Sequence, residues 1–325
     1  MEYYRPLSKD EQEMHIDRLE MARQGTAFND TPFDAAKRLT VFNELLARER
    51  ELLAPDGVVC DYDKGTAKEE DEVHTRMNGS AVLLSSEHAT RHWSIDADTG
   101  NKTRKLSEPG TAALGSVVAY ETHGIHTAMI GKQTGNANYQ PGHPYKQHVQ
   151  DLIEANKVGA FISLHGMKTG LVSELTDERP YDVLIGIGNN PSHGTLAASH
   201  TIVRVAEELG LRASVNSPFL VIVRDVDGRY RQQVYSDGTP VTNVFAAPDY
   251  TTRAAAQRKA NEIGLNLPTL QIEFAGSVRA LPRGSNGATS PNPIGPYLAY
   301  EALCRAIPRI ARNRHPREAV AGDRI

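Results

Sequence analysis

The sequence predicts an α/β fold: a mixed, mostly parallel sheet with helices on both faces, preceded by a helical N-terminal extension. Two observations carry this expectation. From Ala81 onward, short apolar runs alternate with helix-like segments of about 10 to 15 residues, the rhythm of strands and crossover helices. The runs are apolar at successive positions, as strands covered on both faces must be.

The elements follow in order. Ser8-Lys-Asp-Glu11 reads as a capping box, a side-chain acceptor with glutamate three places on, and Leu19, Met21 and Ala22 give that first helix a weak apolar stripe. After the Asn29-Asp-Thr-Pro turn, Ala35, Leu39, Phe42, Leu45 and Leu46 fall at helical spacings of three and four. Residues 54–79 are polar and loop-like. Residues 1–78 are therefore expected to form a helical extension, either a partner-facing arm that could support an oligomer or padding for the main domain. Strands are expected at Ala81-Val-Leu-Leu, Val158-Gly-Ala-Phe-Ile-Ser-Leu, Tyr181-Asp-Val-Leu-Ile-Gly-Ile, Phe219-Leu-Val-Ile-Val and Leu270-Gln-Ile-Glu-Phe. Helices are expected near 110–122, around Val149, Leu152 and Ile153, and at 194–209 and 296–312. Residues 79–312 form the α/β domain, with an insertion at about 224–266, and 313–325 form a polar tail.

Bulk properties exclude several function classes. At 325 residues the chain can bury a full-sized core, and 39% hydrophobic with 23% charged residues describes an ordinary globular protein. A net charge of −4 gives no general attraction to nucleic acid or an anionic membrane. Two cysteines, Cys60 and Cys304, cannot build a disulfide framework and fit a reducing compartment. The opening Met1-Glu-Tyr-Tyr-Arg lacks the apolar core of a secretory signal, and no apolar run reaches the roughly 18 residues of a membrane span. A cytoplasmic protein is expected.

The chemistry is expected beyond the carboxyl ends of the strands, where α/β sheets form their ligand crevice. Three strands end in groups that a metal hydrolase uses. One runs out into Glu87 and His88, a second into His165, and a third carries Glu273 inside an apolar stretch. Two histidines and a carboxylate make a catalytic zinc set that leaves the fourth tetrahedral position for water. The carboxylate is either Glu87 or Glu108, which stands at the start of a helix with proline in its first turn. Glu273 must be paired, protonated or metal-linked, because burying its charge alone costs several kcal/mol. Beside a zinc-bound water it would act as general base and then as acid to the leaving amine. His123, His126, His143 and His148 fit no ligand spacing, and their Gly- and Asn-rich stretch reads as a solvated loop lid.

In these segments the chain resembles the N-formylglutamate amidohydrolase family, itself similar in layout to zinc-dependent N-acetylmuramoyl-alanine amidases. The resemblance is carried, in order, by Ser86-Glu-His88-Ala, Glu108-Pro-Gly-Thr-Ala-Ala-Leu, Ile162-Ser-Leu-His165-Gly, Val215-Asn-Ser-Pro-Phe219 and Leu270-Gln-Ile-Glu273. It covers about residues 80–283 and implies a zinc exopeptidase-like, phosphorylase/hydrolase-like version of the fold. It further implies one Zn2+ per chain held by His88, Glu108 and His165, with Glu273 as catalytic acid and base. Departures are Ala-Thr-Arg-His-Trp after His88, the 224–266 insertion and the N-terminal 78 residues, and they bear on the substrate.

The expected substrate is a small N-acyl amino acid or related amide. Arginine grips a carboxylate with both arms of its fork, and Arg91, Arg224, Arg279 and Arg283, with Asn216, are the substrate-binding candidates. His92, next to Arg91, is placed to touch substrate or stabilise an oxyanion. The alternatives are cleavage of a peptide or cell-wall amide, and a catalytically silent ligand-binding or interaction protein on the same fold. A silent descendant is expected to have lost Glu273 or a ligand, and the set is complete.

Overall fold

The computed structural model describes residues 35–54, 60, 70–95, 102–105, 107–167, 171–172, 181–188, 191–215, 218–224, 230–232, 242–244, 251–279 and 294–312. In chain order the elements are α1 (Ala35–Leu53), β1 (Val73–Met77), β2 (Leu83–Ser86), β3 (His92–Ile95), β4 (Lys102–Lys105), α2 (Thr111–Glu121), β5 (Ile125–Met129), α3 (Pro144–Asn156), β6 (Phe161–Met167), β7 (Leu171–Val172), β8 (Val183–Gly186), α4 (His193–Glu208), β9 (Ala213–Val215), β10 (Pro218–Arg224), β11 (Tyr230–Gln232), β12 (Thr242–Val244), α5 (Thr252–Glu262), β13 (Thr269–Ala275), α6 (Gly276–Arg279) and α7 (Ile294–Arg312). The expected helix over residues 8–28 and the 313–325 tail lie outside the described residues.

Seven strands form the main sheet in the order β1-β5-β2-β6-β13-β8-β9. β2 runs parallel to both β5 and β6, β6 to β13, and β8 to β9. β1 and β8 run antiparallel to β5 and β13. The sheet is therefore mixed and mostly parallel, as the apolar strand pattern predicted. Successive side chains of one strand pack on opposite faces. Leu84, Ile162, Leu164, Ile272 and Phe274 join the core shared with α1, α2, α4 and α7. Leu83, Ile125 and Phe161 pack on the other side with Tyr145, Val149 and Ile153 of α3 and Ala256 and Ala260 of α5.

The α1 helix packs against the sheet's larger core. Val41, Phe42 and Leu45 enter the larger core. Its buried Glu49 accepts hydrogen bonds from the Gly110 and Ala113 N–H groups at 2.8 and 3.3 Å. Those donors open α2, where no side chain of the helix's own caps the N-terminus. A carboxylate there satisfies unpaired N–H groups and meets the positive end of the helix dipole. Gly110 itself sits at φ 84, a conformation glycine adopts without strain. For this reason α2 starts at Thr111, and Glu108 and Pro109 lie outside it, ahead of where the sequence placed them.

Three further expectations differ from the structure. Residues 73–77 are an edge strand of the sheet, not loop. The run Ile125-His-Thr-Ala-Met is a fully buried strand, so His126 is a core residue and not part of a lid. Its polar His and Thr broke the apolar run that would have marked a strand. β10 pairs with β7, β11 and β12 in a separate antiparallel sheet, so the fourth expected strand is outside the main one. The later part of the 224–266 stretch is α5, which covers the main sheet. No helix among the described residues is long and apolar enough to cross a membrane.

Glu49→Ala should cost about 1 to 3 kcal/mol, because two buried N–H groups lose their acceptors. Urea unfolding of the variant and the parent measures this, and a change below about 0.5 kcal/mol would show that α2 needs no cap from α1.

Candidate metal centre

β2, β6 and β13 are consecutive in the sheet and parallel, so their carboxyl ends lie side by side. Register fixes what they present. Leu83 pairs with Phe161 and Ser85 with Ser163. Phe161 pairs with Thr269, Ser163 with Gln271, and His165 with Glu273. These residues share the α3/α5 face, and Ser85 is also level with Thr127 of β5. Polarity therefore climbs in steps: a mainly apolar layer, then a layer of two serines and a glutamine, then the titratable groups.

Glu108 stands across this edge. Its Oε1 lies 2.9 Å from His88 Nδ1 and its Oε2 3.2 Å from His165 Nδ1. Oε2 also accepts the Gly166 N–H at 3.0 Å. The loop carrying Glu108 is tied at several points. The Glu108 N–H donates to the His88 carbonyl at 2.8 Å. Thr111 Oγ1 donates to the Glu108 carbonyl at 2.7 Å, and Arg279 Nη1 donates to the Pro109 carbonyl at 2.5 Å.

Both imidazoles are held from behind by their other nitrogen. His88 Nε2 lies 3.1 Å from Asn136 Oδ1, an acceptor that requires a proton on Nε2. His165 Nε2 lies 2.9 Å from Ser163 Oγ and 3.3 Å from Glu87 Oε2. In each ring, once neutral, a proton on Nε2 leaves Nδ1, the nitrogen that faces Glu108, to bind a metal. Ligand atoms of His88, Glu108 and His165 all lie within 4.8 Å of one another. Tetrahedral zinc with N and O ligands at its usual bond lengths sets neighbouring ligand atoms roughly 3.3 Å apart. The 2.9 and 3.2 Å separations are close to that, so two imidazole nitrogens and one carboxylate fit such an ion with small adjustments.

The electrostatics match. Burial pushes the Glu108 carboxyl up, but His88 and His165 outweigh it and hold the group well below the usual carboxylate range. Burial pushes His165 down, while Glu108 and Glu87, aided by Glu273, more than reverse this and raise it to about 10. Glu273 is raised to about 7, chiefly by burial, with His165 pulling down and Glu108 pushing up. His92 stacks on His88 with ring centroids 3.7 Å apart, and burial holds it far below its usual range. Its Nδ1 is buried without a hydrogen-bond partner.

The sequence-predicted residues are thus only partly gathered. His88, Glu108, His165 and Glu273 come together. Glu87, the other carboxylate considered, is fully buried behind His165, on the side away from Glu108. Glu273 Oε1 accepts from Gln271 Nε2 at 3.1 Å. Arg279 forms no ion pair with Glu273, because its Nε donates to the Phe274 carbonyl at 3.2 Å and its Nη1 to Pro109. Arg91 lies half-buried just before β3. Asn216, Arg283 and the side chain of Arg224 are outside the described residues. Sequence reasoning missed Asn136, Asn138, Ser163 and Gln271. The first two lie in the stretch read as a lid, yet Gln133, Asn136 and Asn138 are buried beneath the ligands. Buried asparagines in a loop leave no periodic signal. The serine and glutamine sit two residues before a ligand or acid on the same strand, which is a readable pattern.

No family model matches the chain, and no curated protein matches it. Among solved structures it is similar to a metallo-carboxypeptidase from Burkholderia cenocepacia, at 12% identity and a TM-score of 0.38, covering 87% of this chain and 70% of that one. It is similar to a metallo-carboxypeptidase from Pseudomonas aeruginosa in complex with (2-guanidinoethylmercapto)succinic acid, at 8% identity and a TM-score of 0.37, covering 86% and 69%. A mutant pyrrolidone carboxyl peptidase from the hyperthermophile Pyrococcus furiosus is similar at 10% identity and a TM-score of 0.33, covering 72% and 98%.

A metal arriving at His165 Nδ1 must displace the proton that the nearby carboxylates retain up to about pH 10. Zinc affinity should therefore rise with pH, by up to about tenfold per unit for one released proton, and weaken as pH falls. Titration calorimetry in buffers of different ionisation enthalpy reads the proton count directly. Affinity independent of pH between about 6 and 9 would contradict the assignment of His165.

Proposed function

We propose that this chain is a metal-dependent hydrolase that cleaves the amide bond of a small N-acyl amino acid or a related compound, similar to N-formylglutamate. The observation that supports it best is the facing set of His88, Glu108 and His165, with a buried, proton-retaining Glu273 level with His165 on the next strand. A divalent metal such as Zn2+ bound there supplies Lewis-acid polarisation of the amide carbonyl and makes a water more acidic.

The chain's own groups perform the remaining steps. Ionised Glu273 takes the proton of the attacking water at its carboxylate and delivers it to the nitrogen as the C–N bond breaks, releasing a carboxylic acid and an amine. A group near pKa 7 suits both halves, since it gives up and takes back a proton at little cost near neutral pH. Burial of the site keeps competing water away from that proton. Arg91, Arg224 and Arg283, with Asn216, are the groups proposed to receive substrate carboxylates. Arg279 has committed its Nε–H and one Nη1 hydrogen to backbone carbonyls, which leaves fewer of its donors for that role.

Metal-loaded protein incubated with N-formyl, N-acetyl and N-succinyl amino acids should release free amine from at least one. Glu273→Gln should bind zinc as the parent does while losing on the order of 10² to 10⁴ in kcat. Stoichiometric metal without amine release from any member would sink the small acyl amino acid reading, and loss of zinc in Glu273→Gln would make Glu273 a ligand.

A further inference from the structure

The metal reading leaves one fully buried acid without a task. Glu87 follows β2 in the turn that leads to His88, and its side chain has no exposure. Its carboxylate accepts from Ser85 Oγ at 2.9 Å and from Ser163 Oγ at 2.9 and 3.0 Å. Two serine hydroxyls donate to it and the His165 ring lies 3.3 Å away, while the Lys146 ammonium acts on it through its charge.

We propose that Glu87 is a positioning residue for the metal: acting through Ser163, it holds the His165 imidazole in the tautomer and orientation that turn Nδ1 toward Glu108. This rests on the metal-centre reading above. The proton count supports it. A serine hydroxyl has one proton, and Ser163 gives its proton to Glu87. The Ser163 oxygen, 2.9 Å from His165 Nε2, is then an acceptor, and Glu87 Oε2 at 3.3 Å is a second. Both call for a proton on Nε2, so that in the neutral ring a metal would bind, Nδ1 carries the lone pair. Asn138 Nδ2, 3.3 Å from the same nitrogen, competes as a donor, because Asn138 Oδ1 is taken by the Thr252 N–H at 3.0 Å. The two acceptors outnumber it, and Ser163 is the nearer.

The chain of contacts is anchored below the site. Tyr145 Oη lies 2.8 Å from Ser85 Oγ and 3.0 Å from the Thr127 carbonyl. With the Ser85 proton given to Glu87, the phenol's single proton can go to the serine oxygen, so a helix α3 side chain can fix the serine that fixes the acid. Carboxylates that orient metal-ligating histidines in this way characteristically control metal affinity about 10- to 100-fold.

The test compares zinc affinity, by competition with a chromophoric chelator, for the parent, Glu87→Gln, Ser163→Ala and His165→Ala. A glutamine at 87 presents an N–H group where the site needs acceptors, and alanine at 163 removes the bridging oxygen. Both should raise the zinc dissociation constant, about 10- to 100-fold for Glu87→Gln, and both should shift the visible bands of the Co2+-substituted protein. His165→Ala should abolish binding. Thermal unfolding of the metal-free proteins checks folding, and Ser163→Ala, nearly isosteric, decides the matter if Glu87→Gln does not fold. If both variants bind zinc within about twofold of the parent and keep its Co2+ spectrum, while His165→Ala does not bind, the centre stands and the role of Glu87 falls. A parent that binds no zinc removes the metal reading and this inference with it.

Discussion

The contact on which the site depends is the Glu108 carboxylate between two imidazoles. A buried carboxylate costs several kcal/mol unless its oxygens are satisfied, and here each oxygen faces one Nδ1, with the Gly166 N–H completing Oε2. The surrounding backbone serves that placement. Gly166 has no side chain, and a Cβ there would run into the Arg279 guanidinium at 2.1 Å. Arg279 uses that close approach to tie the Glu108 loop at Pro109 to the end of β13 at Phe274. From the opposite side, Glu49 accepts from the N–H of the same Pro109–Gly110 peptide. The loop is thus held between an acid from the first helix and an arginine from the sixth, and neither touches the ligands.

The sheet explains why a polar site can sit on such an apolar support. A parallel sheet covered on both faces has to be hydrophobic on both, and one face is largely so, from Leu84 and Ile162 to Phe274, with the polar pair Ser86 and His126 meeting each other at 3.2 Å. The other face breaks the rule mainly toward the carboxyl ends. Thr127, Ser85, Ser163 and Gln271 stand level on four adjacent strands, one step below Glu87, His165 and Glu273. Every one of these strands keeps a polar atom at the height where the titratable layer needs hydrogen-bond partners. The apolar layer beneath them, with Leu83, Ile125 and Phe161, joins this layer to the core.

How much of this was legible follows from the same geometry. The parallel strands could be read because burial on both faces leaves short, dense apolar runs. The ligands and Glu273 could be read because strand ends are where such runs stop in a charged residue. Strand β5 could not, because His126 and Thr127 interrupt it, although both are buried. His126 is tolerated there because Gly115 of α2 lies against it; a Cβ at that glycine would be 2.6 Å from the ring. The Asn136 and Asn138 contacts were equally hidden, since a loop that wraps under a site has no period. The α1 helix was legible as a helix but not in its use, because an acid that caps a helix 61 residues away has no local signature.

Gln271 links the structural ladder to the proposed proton chemistry. Its Nε2 donates to Glu273 Oε1, which suits an ionised carboxylate, and this leaves its own Oε1 buried without a partner. A protonated Glu273 presents an O–H instead, and the same glutamine can accept it by turning its amide over, since a carboxamide carries donors at one end and an acceptor at the other. A backbone N–H, a donor only, would favour the ionised state alone. An acid whose pKa burial lifts to about 7 spends time in both states near neutral pH, so a neighbour that can serve either keeps each transfer inexpensive. The unsatisfied oxygen is then the cost of keeping that second state within reach, on a side chain whose position two residues before Glu273 is set by strand alternation alone.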